Sequence, residues 1–179
     1  MPLTYANGPG ARSCLWLQGC SLACAGCFNT DTHSFKDKKL YQISEVFDWI
    51  ANAQGTEGLT VSGGEPLQQA AALLELLELV RQKTNLSVLV FTGFTYEEAE
   101  ILPQFNKLRT LVDVLIAGRY VAGMQTRSSF LGSTNKTIHY LSDRYAEEDL
   151  EIAPVSEVII GPSGDLTITG IEPANLRNK

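Results

Sequence analysis

The side chains with the most specific chemistry are three cysteines in the stretch C-S-L-A-C-A-G-C, residues 20–27. Cys20, Cys24 and Cys27 form a C-x3-C-x2-C array. Thiolates are soft ligands that suit iron–sulfur clusters, zinc and copper(I). A closed structural metal site needs four ligands, whereas an open site keeps one position for a substrate. On a four-iron cluster, three thiolates would therefore leave one iron free to bind a further molecule.

The segment before the array predicts how the cysteines are positioned. Cys14–Leu17 is a short apolar run that Gly19 ends, which indicates a buried β-strand. The array is then a loop at the C-terminal end of the first strand. Open parallel sheets and barrels carry their sites at that end. Cys14 itself is expected to be a buried core thiol, because free cysteine packs as a small hydrophobe.

The cysteine array followed by Phe28 resembles the signature of the radical S-adenosylmethionine superfamily. One strand–helix unit later, S-G-G-E-P at residues 62–66 resembles that superfamily's Gly-Gly-Glu-Pro element. Two glycines let a backbone approach a ligand closely, and a glutamate can accept from an ammonium group. The resemblance implies that Gly63, Gly64 and Glu65 hold the amino group of S-adenosyl-L-methionine. It also implies that the three cysteines bind a 4Fe–4S cluster, at which S-adenosylmethionine is reductively cleaved to a 5′-deoxyadenosyl radical.

Further candidates for cofactor binding follow the array and the third predicted strand. Phe28 and Asn29 come directly after Cys27. Thr92 and Gly93 follow the apolar strand S-V-L-V-F, and we expect them to contact the adenosine or methionine part of S-adenosylmethionine.

Several motifs resemble the family of activating proteins of anaerobic (class III) ribonucleotide reductase. They are N-G-P-G-A-R (7–12), C-F-N (27–29), F-T-G-F (91–94), D-V-L-I-A-G-R-Y-V (113–121) and L-G-S-T-N-K (131–136). The resemblance covers residues 5–141 and implies a glycyl-radical protein as partner, with flavodoxin or ferredoxin as electron donor. Ala117 departs from it, because the family commonly has an acidic residue there. The tail from Tyr145 onward also extends beyond short family members.

Other interpretations of the cysteines stay open. A radical enzyme that modifies a small molecule or peptide would use the same array. A non-catalytic module would bind iron–sulfur, or zinc with Cys14 or His33 as fourth ligand. A disulfide framework is less favoured, because such frameworks are typical of short secreted chains. His33 lies in a polar loop; a solvated side chain is favoured over one that lines the site. For His139, a structural role is favoured over one facing solvent or the edge of the site.

The order of predicted elements indicates an α/β fold. Strands and helices alternate up to about residue 120, which favours parallel βαβ units. Helices are predicted from Ser44, over Pro66–Lys83, and over Tyr96–Leu102 after a Thr95–Glu98 capping box. With the resemblance, we expect a partial, open (β/α) barrel with a mostly parallel sheet of the radical S-adenosylmethionine type. Domain boundaries are predicted at 1–144 for this core and 145–179 for a C-terminal extension.

The extension is expected to be a solvated acidic link followed by a β-hairpin. The acidic residues are Glu147, Glu148, Asp149 and Glu151. Two short β runs, 157–160 and 166–169, surround G-P-S-G-D, and this pattern predicts a hairpin appended to the main sheet.

Composition excludes several classes of function. The 179 residues carry a formal net charge of -6, which gives no electrostatic reason to bind nucleic acid or an anionic membrane. Residues 1–10 lack the basic and apolar regions of a signal peptide, and no apolar run approaches the ~20 residues that span a bilayer. We therefore expect a cytoplasmic protein with no nucleic-acid or membrane partner. An open iron would be oxygen-sensitive, which favours anaerobic work.

Overall fold

A five-stranded sheet forms the centre of the molecule, whose computed structural model describes residues 1–36, 38–126 and 130–171. The strands are β1 (Arg12–Leu17), β2 (Gly58–Gly63), β3 (Ser87–Thr92), β4 (Val114–Ala117) and β5 (Thr137–Tyr140). They lie side by side in chain order, with β1 to β4 parallel and β5 antiparallel to β4. The structure thus confirms the predicted α/β class and the mostly parallel sheet.

The helices pack mainly on one face of this sheet. They are α1 (Ile43–Ala51), α2 (Ala70–Lys83), α3 (Tyr96–Glu100), α4 (Phe105–Leu111) and α5 (Glu147–Glu151). Phe47 and Ile50 of α1, Leu77 of α2 and Leu108 of α4 belong to one buried cluster with Val90 of β3. This cluster covers one face of the sheet. The opposite face packs against a second buried cluster that includes Phe130 and Leu150. Helix α4, between Pro103 and β4, was not predicted, although Phe105 and Leu108 have helical spacing.

Helix boundaries differ from the predicted ones by local capping. Helix α1 begins at Ile43, because the Gln42 backbone N–H donates to Glu45 Oε2 (2.8 Å) and Ser44 lies inside the first turn. The segment Pro66–Gln69 is a 3-10 helical turn, so only Ala70–Lys83 of the predicted second helix is α-helical. The Thr95–Glu98 capping box is confirmed, and the helix after it ends at Glu100 instead of Leu102.

The opposite face of the sheet buries Arg12, the arginine of N-G-P-G-A-R, at the amino end of β1. Its Nε donates to Thr60 Oγ1 (2.7 Å), and its Nη1 donates to Ser87 Oγ (3.1 Å) and Tyr145 Oη (3.0 Å). Its Nη2 donates to the Leu59 carbonyl at 2.9 Å. The guanidinium therefore ties the starts of three strands to the C-terminal segment, and this motif acts in the fold.

The C-terminal segment differs from the expected acidic link and contains the expected hairpin. The acidic stretch is exposed at Glu147, Glu148 and Glu151 as expected, but it forms helix α5 instead of a link. The Ala146 backbone N–H donates to Asp149 Oδ2 (2.8 Å), and Leu150 is buried. The predicted hairpin is confirmed as β6 (Ser156–Ile160) and β7 (Leu166–Gly170), which are antiparallel.

The hairpin forms its own two-stranded sheet, so its predicted place on the main sheet is wrong. It contacts the N-terminal segment instead, where Thr4 Oγ1 donates to Glu157 Oε2 (2.8 Å) and Asn7 Nδ2 donates to Thr169 Oγ1 (2.9 Å). The boundary predicted between residues 144 and 145 stays a prediction, and residues 172–179 of the predicted extension lie outside the described residues.

Over the described ranges, none of the helices combines the length and the apolar character that crossing a lipid bilayer requires.

Candidate functional site

The cysteine loop leaves β1 and is closed at its base by two backbone hydrogen bonds. The Gly19 N–H donates to the Thr32 carbonyl (2.7 Å), and the Cys20 N–H donates to the His33 carbonyl (3.0 Å). Within the loop, the Cys27 N–H donates to the Cys24 carbonyl at 3.1 Å. These bonds hold the three thiols at the carboxyl edge of the sheet, where the sequence placed them.

A cavity of about 510 Å³ opens at this edge. All ten predicted site residues line it: Cys20, Cys24, Cys27, Phe28, Asn29, Gly63, Gly64, Glu65, Thr92 and Gly93. The residues come from the exits of three neighbouring parallel strands, β1, β2 and β3. The structure therefore brings together the groups that the motifs named, while the role of each group stays a prediction.

The backbone at the end of β2 is hydrogen-bonded to the end of β1 and the start of the cysteine loop. The Gly64 N–H donates to the Leu17 carbonyl (2.7 Å), and the Glu65 N–H donates to the Gly19 carbonyl (2.8 Å). A Cβ atom at Gly64 would lie 2.3 Å from the Gly19 carbonyl oxygen, closer than any real contact. Gly64 is thus required by a close backbone contact, independently of any role in ligand binding.

Glu65 is fully buried and links three elements. Its Oε1 accepts from the Leu67 N–H (2.9 Å) and from Thr92 Oγ1 (2.8 Å), and its Oε2 accepts from the Gly93 N–H (2.7 Å). Burial raises the pKa of Glu65, and these hydrogen bonds oppose the rise. The side chain was predicted to accept from an amino group. Of its two oxygens, Oε2 has one donor among the described residues and keeps a free lone pair.

Cys14 and His33, the two candidates for a fourth metal ligand, differ in their exposure. Cys14 is completely buried in β1 as predicted, lies outside the cavity, and has its pKa raised by burial to about 12. It is therefore no candidate for a fourth ligand. His33 is half-buried and lines the cavity, which was the less favoured of its two predicted positions, and its carbonyl accepts from the Cys20 N–H.

His139 lies outside the cavity lining, in the edge strand β5. Its ring stacks on Tyr96 with 4.0 Å between centroids, and Thr137 Oγ1 lies 2.8 Å from its Nε2. These contacts agree with the structural role that the sequence predicted.

The residues after the array add donors and an aromatic wall. The Asn29 backbone N–H donates to Cys27 Sγ at 3.4 Å, a contact that favours the thiolate over the thiol. Burial acts in the other direction and raises the pKa of Cys27. The Phe28 ring packs edge-on against Tyr120, with 5.1 Å between ring centroids.

Lys136 and part of the hairpin line the cavity although the sequence did not single them out. Lys136 directly precedes β5, within L-G-S-T-N-K, and its Nζ lies 5.4 Å from the centroid of the Phe91 ring. Desolvation lowers its pKa, and Cys24, Cys27 and Glu65 oppose that effect. Its place in the cavity depends on β5 running antiparallel beside β4, which no local sequence pattern encodes. The place of Ile168 likewise depends on docking of the hairpin against the N-terminal segment.

The donor set can be tested against the groups that thiols bind. Within residues 1–36, 38–126 and 130–171, no three His, Cys, Asp or Glu side chains are gathered closely enough to hold one metal ion. Zinc holds every thiolate at about 2.3 Å from one atom. A 4Fe–4S cluster binds each thiolate through a different iron, which keeps the sulfurs farther apart. Three thiols on one loop, a backbone donor to Cys27 and a nearby lysine cation fit such an anionic cluster.

Comparison with known proteins also supports an iron–sulfur cluster domain. Residues 6–139 match the family described as "4Fe-4S single cluster domain". The chain is 31% identical over 150 residues to the anaerobic ribonucleoside-triphosphate reductase-activating protein of Vibrio cholerae serotype O1, covering 77% of this chain and 93% of the relative. It is 28% identical over 153 residues to the protein of that name from Enterobacteria phage T4, covering 83% and 96%. The pyruvate formate-lyase-activating enzyme of Streptococcus mutans is 29% identical over 148 residues, covering 76% of this chain and 56% of the relative.

Proposed function

Because the chain belongs to the 4Fe-4S single cluster domain family and to the family of anaerobic ribonucleoside-triphosphate reductase-activating proteins, we propose that it is a radical S-adenosylmethionine enzyme. Its protein substrate is proposed to be an anaerobic ribonucleoside-triphosphate reductase, on which it installs a glycyl radical. The observation that carries the proposal is the C-x3-C-x2-C loop at the carboxyl edge of parallel strands, opening into a cavity with the Gly-Gly-Glu-Pro and Thr-Gly segments.

Cys20, Cys24 and Cys27 are the proposed ligands of the cluster. When bound, the cluster supplies one electron that splits S-adenosylmethionine into methionine and a 5′-deoxyadenosyl radical, which then takes a hydrogen atom from a glycine of the partner. The protein's own part is to bind and orient the cluster and S-adenosylmethionine, and to exclude water from the site. Asn29 directs a backbone N–H to Cys27 Sγ, and Phe28 with Tyr120 forms an apolar wall.

Gly63, Gly64 and Glu65 are the proposed contacts of the amino group of S-adenosylmethionine. Glu65 keeps a lone pair on Oε2 for this purpose, and its other contacts hold it in place. Thr92 and Gly93 are proposed to lie against the adenosine or methionine part. Their positions are fixed by hydrogen bonds to the same carboxylate, so the two segments would bind one ligand as a unit.

The finer description of the fold belongs to the same proposal. Helices packed mainly on one face and a cavity at the carboxyl edge of the sheet agree with a partial, open (β/α) barrel of the radical S-adenosylmethionine type. A sheet that does not close into a full barrel suits an activase, because a glycine-bearing loop of the partner must reach the cavity. The proposed electron donor is a flavodoxin or a ferredoxin.

The test is 5′-deoxyadenosine formation by protein reconstituted anaerobically with iron and sulfide, then reduced and given S-adenosylmethionine. Cys24→Ala serves as the matched control. We expect product from the wild type alone, and more product when the reductase is present. Absence of product with a confirmed cluster and with the reductase present would reject the proposal.

A second candidate substrate follows from the Streptococcus mutans relative, which is named for activating pyruvate formate-lyase. A glycyl-radical protein of that kind would accept the same radical. A small molecule or a peptide is the remaining alternative. Product formed without either protein, and unchanged by adding them, would favour that alternative.

A further inference from the structure

Lys136 is a cation in the cavity without a hydrogen-bond acceptor among the described residues. It is half-buried, and its Nζ lies over the Phe91 ring at 5.4 Å. Within the described ranges, no Asp or Glu oxygen lies within 4.0 Å of this nitrogen, since the three ion pairs found there involve Arg81, Lys107 and Arg119. A desolvated ammonium in such a place interacts strongly with any charge that enters the cavity.

The protein offers this cation little compensation. Glu65 is the nearby carboxylate, and its oxygens already accept three hydrogen bonds from other donors. Ala117 of β4 pairs with Thr137, the residue next to Lys136, and its side chain carries no charge that would compensate the ammonium group. Lys136 lines the same cavity as Cys24 and Cys27, so its positive charge acts on their thiols.

We propose that Lys136 is a positioning residue for electron transfer, which raises the reduction potential of the cluster held by the three cysteines. Adding one electron, supplied by the reduced donor, makes a cluster with three thiolate ligands more negative by one charge. A fixed cation nearby stabilises this reduced form more than the oxidised form. The proposal takes the iron–sulfur cluster from the proposed function and needs no S-adenosylmethionine cleavage.

The test compares Lys136→Met and Lys136→Gln, which remove the charge, with Lys136→Arg, which keeps it. Lys107→Met is the matched control, because Lys107 is an exposed lysine paired with Glu78. Each protein is reconstituted anaerobically, and the midpoint potential is measured by a redox titration followed by electron paramagnetic resonance. S-adenosylmethionine is left out of the first titration and added in a second one.

We expect the Met and Gln variants to hold about tenfold less reduced cluster at a fixed potential, a shift of about 59 mV for one electron. The Arg and Lys107→Met variants are expected to stay close to wild type. Unchanged potentials in both neutral variants without S-adenosylmethionine would overturn the proposal. A shift seen only after S-adenosylmethionine is added would overturn it too, because Lys136 would then act on an anionic group of that ligand.

Cluster assembly provides a second measurement if the neutral variants do not hold iron. Iron and sulfide retained in Lys136→Arg but lost from both neutral variants would support the electrostatic role. Loss from all three variants would overturn it, since shape and not charge would then be required. This test is independent of S-adenosylmethionine cleavage, because the potential can shift as expected even if 5′-deoxyadenosine is never formed.

Discussion

At the amino edge of the sheet, the charged side chains of Arg12 and Asp113 are buried, and both make hydrogen bonds. Arg12 donates to Thr60, Ser87, Tyr145 and the Leu59 carbonyl. Asp113 accepts from the Val88 N–H (2.7 Å) and from Ser142 Oγ (2.6 Å), and it pairs with Arg81 at 2.8 Å. At the carboxyl edge, the Nζ of Lys136 has no acceptor among the described residues. The three thiols there have one hydrogen bond from the described part of the chain, the Asn29 N–H to Cys27.

This difference separates groups whose polar atoms are satisfied within the fold from groups that we propose bind a ligand. A buried polar group without a partner costs free energy, so a protein keeps it where binding supplies the partner. Variants at the amino edge are therefore expected to change the free energy of unfolding. Variants at the carboxyl edge are expected to change what the protein binds.

The largest expected effect is the loss of iron from Cys24→Ala. Its thiol lines the cavity, whereas Cys14 is buried in β1 outside it, so Cys14→Ala is the matched control. Iron and sulfide analysis after anaerobic reconstitution should give no stable 4Fe–4S cluster for Cys24→Ala and wild-type content for Cys14→Ala. Equal loss in both variants would break the comparison.

The second prediction concerns the reactivity of the same thiols in the metal-free protein. Burial raises the pKa of Cys14 to about 12, so its thiolate is nearly absent near neutral pH, and its side chain is not exposed. Iodoacetamide should modify Cys20, Cys24 and Cys27 while Cys14 stays free, as read by peptide mass spectrometry. Early modification of Cys14 in folded protein would contradict its placement.

The third prediction concerns the amino edge alone. Arg12→Met removes the donors to Thr60, Ser87 and Tyr145 and leaves buried acceptors unpaired. We expect the free energy of unfolding to fall by about 3 kcal/mol, because unpaired buried groups cost about 1–3 kcal/mol each and the site relaxes partly. Urea denaturation of metal-free protein measures this fall. The folded fraction should still bind iron, and loss of iron binding with unchanged stability would reverse the assignment of the two edges.

A smaller effect is expected for Glu65→Gln, which sharpens the comparison because Glu65 lies at the carboxyl edge and yet is fully buried and hydrogen-bonded. An amide accepts through one oxygen only, so the donors of Leu67, Thr92 and Gly93 cannot all be satisfied. We expect a loss of about 1–2 kcal/mol in the free energy of unfolding.

The pH dependence of that loss has a defined sign. Burial raises the pKa of Glu65 above its usual value of 4.5, so the folded state favours the protonated form. Its contribution to stability is then full below 4.5 and decreases as pH rises through the folded pKa. The difference between wild type and Glu65→Gln should be larger at about pH 5 than at about pH 8 in urea titrations. The opposite trend would mean that the hydrogen bonds outweigh the burial.

The sequence predicted the parts of the molecule that depend on local patterns. Parallel strands, the Thr95–Glu98 cap and the place of the cysteine loop follow from periodicity, capping chemistry and strand-to-loop order. The motifs also named ten residues that share one cavity. Helix α5 was missed, because four of its five residues are acidic and Leu150 is its one buried residue.

What the sequence could not predict depends on contacts between distant segments. The hairpin docks through Glu157 and Thr169 to residues near the N-terminus, so its separate sheet and its place at the cavity are tertiary effects. Lys136 enters the cavity because β5 runs antiparallel beside β4, and no local pattern encodes that orientation. The position of His33 beside the cavity depends on the backbone hydrogen bond from Cys20, which the polarity of its side chain does not predict.

The most direct measurement of the central claim is electron paramagnetic resonance of an anaerobic ribonucleoside-triphosphate reductase after incubation with the reconstituted, reduced protein and S-adenosylmethionine. We predict a glycyl radical signal on the reductase that requires S-adenosylmethionine and is absent with Cys24→Ala. No radical on the reductase, although the same sample forms 5′-deoxyadenosine, would contradict the proposed substrate.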